Sequence, residues 1–208
     1  MIAVLDYGVG NLFSLSSSLT YLNIPNEITS QPEVIKNADG IILPGVGAFG
    51  DAMDKLTRSA LREPLDRAVQ NGKPLLGICL GMQLLFEKSC EFGEHGGLGY
   101  LKGEVVSMKE AFGLKNISLK VPQIGWNALQ LKKECPILKY TSEGEYMYYV
   151  HSFYVPEENE NTAAYSEYGI DVAGTVFEKN VYGCQFHPEK SGEKGLKILK
   201  AFAEICEA

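Results

Sequence analysis

No stretch of this chain approaches the roughly 18 uninterrupted apolar residues of a membrane-spanning helix, so no span is expected. The first residues, Met1-Ile-Ala-Val-Leu-Asp6, lack a basic lead-in and turn polar too soon for a secretory leader. An excess of positive charge is absent as well: 19 Lys and Arg stand against 26 Asp and Glu, a formal charge of -7. Phosphate-backbone affinity rests largely on Lys and Arg releasing counterions, so a general nucleic-acid binder is disfavoured and a small-molecule or protein partner favoured. Cysteine is sparse and unpatterned. The five, at 79, 90, 135, 184 and 206, are odd in number and form no CxxC pair, which supports neither a disulfide framework nor zinc spacing. A reducing, cytoplasmic setting is the expectation. No internal repeat or low-complexity tract is found.

What remains is an ordinary globular composition, 45% hydrophobic and 22% charged over 208 residues, enough for one substantial core. Short apolar runs alternate with helical periodicity through the first half. Ile2 to Leu5 reads as a buried strand, and Leu12, Leu15, Leu19 and Leu22 then recur at helix spacing. Ile41-Ile42-Leu43, ended by Pro44-Gly45, and Pro74 to Cys79 read as further strands, each followed by a helix-like stretch. Repeated βα units predict an α/β fold in three layers, a mostly parallel central sheet flanked by helices. Tyr146 to Val150, Val172 to Val176 and Val181 to Phe186 are rich in β-branched and aromatic residues and are expected to close that sheet as mixed or antiparallel strands. Pro156 to Thr162 reads as a surface loop. Leu199, Phe202, Ala203 and Cys206 share one face of a closing helix.

In such sheets ligands bind outside the C-terminal ends of the strands, where Asp6-Tyr7-Gly8, Pro44-Gly45-Val46-Gly47 and Cys79-Leu80-Gly81 should converge. Gly77-Ile78-Cys79-Leu80-Gly81 has the spacing of a nucleophile elbow, which needs small flanking residues around a strained central one. Met82 to Phe86 is predicted to be the helix that follows, and its amides and dipole favour a reactive thiolate at Cys79. The other four cysteines are read as core fillers. Phe186-His187-Pro188-Glu189 follows a strand that can end at the same edge, so His187 can take the thiol proton and Glu189 can orient the imidazole. Taken alone, His-x-Glu is usually a solvated pair, and Pro-Gly-Val-Gly only a turn. With the elbow, that turn's amides and the amide of Leu80 are placed to meet a developing oxyanion.

With these pieces assembled, the chain resembles the class I, triad-type glutamine amidotransferases over nearly its whole length, residues 1–208 forming a single such domain. Gly-Ile-Cys-Leu-Gly-Met-Gln83 is highly specific for them. The resemblance implies hydrolysis of the glutamine amide through a cysteinyl thioester, with Cys79 as nucleophile, His187 as acid and base, and Glu189 as orienter. Several segments further resemble the glutaminase subunits of imidazole glycerol phosphate synthases: Asp6 to Leu12, Leu43 to Gly50, Gly125-Trp-Asn127, Tyr149 to Tyr154 and Gln185 to Ser191. Pro-Gly-Val-Gly stands where many relatives have Pro-Gly-Gly-Pro.

That resemblance implies glutamine contacts at Gly47, Gln83, Ser152 and Phe153 and an oxyanion hole at Val46 and Leu80 that needs the Val46 peptide to reorient. It implies a (β/α)8-barrel cyclase as heterodimer partner, which uses the ammonia in histidine biosynthesis, with Trp126, Asn127, Tyr148 and Lys190 as interface candidates. Neither metal nor organic cofactor is implied. Gln123 departs from the common histidine of that subfamily and cannot titrate. His151 is read as support for the glutamine pocket, and His95 as an exposed loop residue. Two alternatives stay open: a glutaminase serving another synthase, and a non-catalytic subunit that keeps the fold.

Overall fold

The computed structural model describes residues 1–207. Strands β1 (Ile2–Leu5), β3 (Gly40–Gly45) and β4 (Leu75–Cys79) are buried at every position, as continuous apolar runs must be when helices cover both faces of a sheet. Between them come α1 (Leu12–Tyr21), β2 (Asn26–Thr29), α2 (Pro32–Asn37), α3 (Phe49–Arg58) and α4 (Arg62–Gln70). After β4 follow α5 (Leu80–Leu84), β5 (Phe86–Ser89), β6 (His95–Gly96), β7 (Leu101–Ser107), α6 (Met108–Lys115), β8 (Gln123–Ala128) and β9 (Gln130–Leu131). The chain ends with β10 (Tyr146–His151), β11 (Phe153–Tyr154), β12 (Thr162–Glu167), β13 (Asp171–Glu178), β14 (Val181–Cys184) and α7 (Gly192–Cys206).

The main sheet has eight strands in the order β2-β1-β3-β4-β14-β13-β12-β9. Its first five run parallel and its last three antiparallel. Successive residues of a strand point to opposite faces, and the core divides accordingly. Leu5, Ile41, Leu43 and Leu75 pack with Phe49, Leu56 and Leu65 of α3 and α4. Ile2, Val4, Ile42, Leu76 and Ile78 pack with Leu15 and Leu19 of α1 and Leu199 and Phe202 of α7. This is the three-layer α/β architecture with a mostly parallel centre.

Three local expectations of secondary structure change, and Cys90, read as a core filler, is exposed. Met82 to Phe86 is not one helix: α5 is only Leu80–Leu84, and Phe86 opens β5. Its apolar residues are buried on all sides, so periodicity carried no helix signal there. Tyr146 to Val150 is a strand but does not join the main sheet; β10 pairs antiparallel with β8 in a separate two-stranded sheet. β-rich composition reports strand, not partner. The stretch from Pro156 to Thr162 is a loop only in part, since Asn161 is buried and Thr162 begins β12. A third sheet, β11-β7-β5-β6, gave no recognisable alternation and was not anticipated.

Candidate active site

Strand β4 delivers Cys79 to the C-terminal sheet edge and turns sharply into α5. Cys79 itself sits at φ 54°, ψ -111°, a conformation that costs a non-glycine residue on the order of 1–3 kcal/mol and persists only where surroundings enforce it. Glycines allow the enforcement. A Cβ on Gly77 would lie 2.6 Å from the Gly81 carbonyl oxygen, and one on Gly45 would lie 2.7 Å from the Gly81 amide. Strands β3 and β4 and the start of α5 can therefore approach only because these positions carry no side chain. The Cys79 thiol contacts the Val150 carbonyl at 3.8 Å, and Gln185 Nε2 donates to its sulfur at 3.7 Å.

His187 arrives from the neighbouring strand. β14 lies parallel beside β4, with Cys184 opposite Ile78, so the chain reaches the same edge three residues later. The backbone is pinned there by His187 N–H donating to the Tyr148 carbonyl at 2.9 Å and by Ser191 Oγ donating to the His187 carbonyl at 2.7 Å. Pro188 starts a short 3-10 turn that brings Glu189 back against the ring, and His187 Nδ1 donates to Glu189 Oε1 at 2.9 Å. That bond fixes Nε2 as the working nitrogen, and among the described residues the buried Nε2 has no protein partner of hydrogen-bonding geometry. Burial opposes charge on His187, but the Cys79 sulfur and the Glu189 carboxylate outweigh it and carry the imidazole pKa up to about 9.

Cys79 and His187 line one cavity of about 310 Å³ together with Val46, Gly47, Leu80, Gln83, Ser152 and Phe153. Glu189 stands behind His187. Gln83 Nε2 donates to the Phe153 carbonyl at 2.9 Å and to Gln185 Oε1 at 3.0 Å, so α5 is tied to β11 across the cavity. The interface candidates lie outside it. Trp126 on β8 is half exposed and packs edge-on against its cross-strand neighbour Tyr148 at 5.8 Å. Asn127 Nδ2 donates to the Glu167 carbonyl at 3.0 Å, and its oxygen accepts from the buried Gln123 amide at 2.9 Å. Lys190 is exposed at the end of the turn that carries Glu189.

Glu91 is a residue that sequence reasoning missed. It is the one carboxylate among the described residues that lines this cavity, and its Oε2 accepts from the Phe49 amide at 2.6 Å. Burial raises its pKa, while the Phe49 amide and His95 oppose the rise. It falls in the polar segment Cys90–Gly97, which carries no motif. His151 also lines the cavity; its Nδ1 meets the Phe153 carbonyl at 2.9 Å, and burial lowers its pKa to about 4, which makes it a neutral brace. His95 is not simply exposed: it is half-buried, and its ring lies against Gly50.

A larger, more open depression of about 760 Å³ between Leu131 and Lys139 contains Cys135 but no histidine, and burial pushes that thiol up to about 12. Among the described residues no cluster of three or more His, Cys, Asp or Glu is arranged to hold a metal, and no helix is long and apolar enough to cross a membrane.

The sequence pattern of class I glutamine amidotransferases matches residues 3–206. In structure, the chain is similar to PurLQS from Thermotoga maritima, with a TM-score of 0.74 over 98% of this chain and 97% of that one; at 20% identity this is a likeness of fold. The chain belongs to the class I glutamine amidotransferases. It is 48% identical over 208 residues to imidazole glycerol phosphate synthase subunit HisH of Caldanaerobacter subterraneus subsp. tengcongensis, across 100% of this chain and 99% of the relative. To the subunit of the same name from Bacillus subtilis (strain 168) it is 48% identical over 207 residues, 99% and 97% of the two chains. Within its class it is therefore a member of the HisH family of imidazole glycerol phosphate synthase subunits.

Proposed function

We propose that residues 1–208 act as one domain that hydrolyses glutamine to glutamate and ammonia at Cys79, His187 and Glu189. The observation that carries this is the shared cavity: a strained, glycine-flanked thiol and a buried imidazole whose free Nε2 is set by Glu189. His187 takes the thiol proton, and the sulfur adds to the carboxamide carbon of glutamine. The amides at Val46 and Leu80 receive the oxyanion. As the tetrahedral intermediate collapses, the C–N bond breaks, His187 passes its proton to the departing nitrogen, and a thioester remains on Cys79. Water then gives one proton to His187, adds to the thioester carbon and releases glutamate, returning the thiol.

Glutamine is read as lying between Gly47 and Gln83 on one side and the Ser152–Phe153 backbone on the other, its α-ammonium facing Glu91. No other carboxylate lines the cavity among the described residues, and an ammonium removed from water needs an anionic or hydrogen-bonding partner. The ammonia is delivered to a (β/α)8-barrel cyclase bound as a heterodimer partner, in the step of histidine biosynthesis that forms imidazole glycerol phosphate and aminoimidazole carboxamide ribotide. The exposed Trp126 and the Asn127, Tyr148 and Lys190 positions serve as its contact surface. The reading is tested with Cys79→Ala in the reconstituted complex. Glutamine-dependent synthesis should vanish while synthesis from free ammonia stays close to wild type; loss of both would contradict it.

A further inference from the structure

Three residues, Val46, Gly47 and Ala48, join the end of β3 to the start of α3, and the first two line the cavity beside Cys79. Among the described residues their amides have no hydrogen-bond partner, Val46 and Gly47 are exposed, and Gly47 adopts φ +100°. Such a tether takes its shape from its two ends. At the near end Gly45 pairs with Cys79 across the parallel ladder. At the far end the Phe49 amide, in the first turn of α3, is held by Glu91 Oε2 at 2.6 Å. The residue ahead of α3, Ala48, offers no side-chain cap of its own, so this donor depends on Glu91. Glu91 is in turn set by its amide, which donates to Ser89 Oγ at 3.2 Å at the end of β5. Both anchors of the tether therefore come from the segment that begins at the nucleophile and ends at Glu91.

We propose that Glu91 is a positioning residue that couples glutamine occupancy to the conformation of the 46–48 turn. One carboxylate faces both the substrate cavity and the Phe49 amide, so an ammonium on the cavity side and the anchor on the other side draw on the same group. The inference rests on the glutaminase reading and on glutamine's ammonium facing Glu91. It adds that the residue which senses the substrate also sets the backbone that meets the oxyanion.

The test is steady-state hydrolysis by the complex with the cyclase subunit, using L-glutamine and glutaramate, which is glutamine without its α-amino group. Glu91→Gln keeps an acceptor for Phe49 but loses the charge. It should raise KM for glutamine about tenfold or more and lower kcat less than about threefold, while its kcat/KM for glutaramate stays within about twofold of wild type. Glu91→Ala removes the anchor and should lower kcat about tenfold or more on both substrates, a loss that Glu91→Gln recovers. Glu91→Asp keeps the charge but is one methylene short of the amide, and should lower kcat more than it raises KM. In amide exchange the Phe49 N–H should be protected in wild type and Glu91→Gln, and exchange about tenfold faster in Glu91→Ala and Glu91→Asp. Equal kcat and equal Phe49 exchange across the three variants would overturn the coupling. Equal penalties for Glu91→Gln on the two substrates would overturn the ammonium contact on which it rests. A wild-type complex that hydrolyses neither substrate would overturn the glutaminase reading itself.

Discussion

Gly77→Ala strikes the elbow without touching a reacting atom. The added Cβ would stand 2.6 Å from the Gly81 carbonyl oxygen, 2.7 Å from the Met82 amide nitrogen and 2.8 Å from the Gly81 carbonyl carbon, where ordinary contact begins at 3.4 Å. All three obstacles are backbone, so no side-chain rotation relieves them. Either α5 or β4 must shift by roughly 0.8 Å, which for a packed core costs about 3 kcal/mol, the upper part of the overpacking range. In a chain of this length that lowers Tm by roughly 6–12 °C. The shift also moves Leu80 and Gln83 relative to Cys79, and a displacement near 1 Å at a reacting centre costs on the order of 100-fold in rate. Calorimetry and glutamine hydrolysis by the partner-bound chain measure the two effects together. Gly113→Ala is the control: it lies within α6, its Cβ would meet nothing within 4 Å, and it should gain up to about 1 kcal/mol. A Gly77→Ala protein with wild-type Tm and wild-type turnover would refute the close-approach argument.

Tyr7→Phe removes a buried donor that meets the Pro44 carbonyl at 2.6 Å, and should cost about 1–3 kcal/mol in urea unfolding, since Pro44 would keep an unpaired oxygen. His187 should titrate near 9 by NMR, and fall in Cys79→Ala as the sulfur's contribution is lost. Because the folded value lies above the unfolded one of about 6.5, its stabilising share is full below that pH and fades as pH rises through 9. His151 behaves oppositely: with a folded pKa of about 4, its contribution is present above about 6.5 and is lost as pH falls through 4, about 3 kcal/mol in total. Acid unfolding of His151→Gln should therefore be shallower than that of wild type between those values.

The parallel half of the sheet was legible because strands buried on both faces leave continuous apolar runs, and Ile2–Leu5, Ile41–Leu43 and Leu75–Cys79 are such runs. The elbow was legible for a related reason: glycines at 77 and 81 are required by backbone contact, and contact of that kind leaves a residue-type trace. Nothing comparable marks Glu91. Its role depends on where β5 and β6 bring a polar loop, and neither the 42-residue separation from Phe49 nor the composition of Cys90–Gly97 encodes that meeting. The placement of β10 was hidden for the same reason, since Tyr146–His151 would alternate equally well on either sheet. His187 and Glu189 were readable as a pair two residues apart, but the pinning of their backbone by Tyr148 and Ser191 comes from tertiary structure alone.

Peptide mapping after treatment of the partner-bound chain with 6-diazo-5-oxo-L-norleucine, an electrophilic glutamine analogue, bears most directly on the claim that Cys79 is the nucleophile. A single adduct is expected, on Cys79, protected by glutamine and slowed strongly in His187→Ala. An adduct on the exposed Cys90 in place of Cys79, or no adduct with partner and its ligand bound, would contradict it.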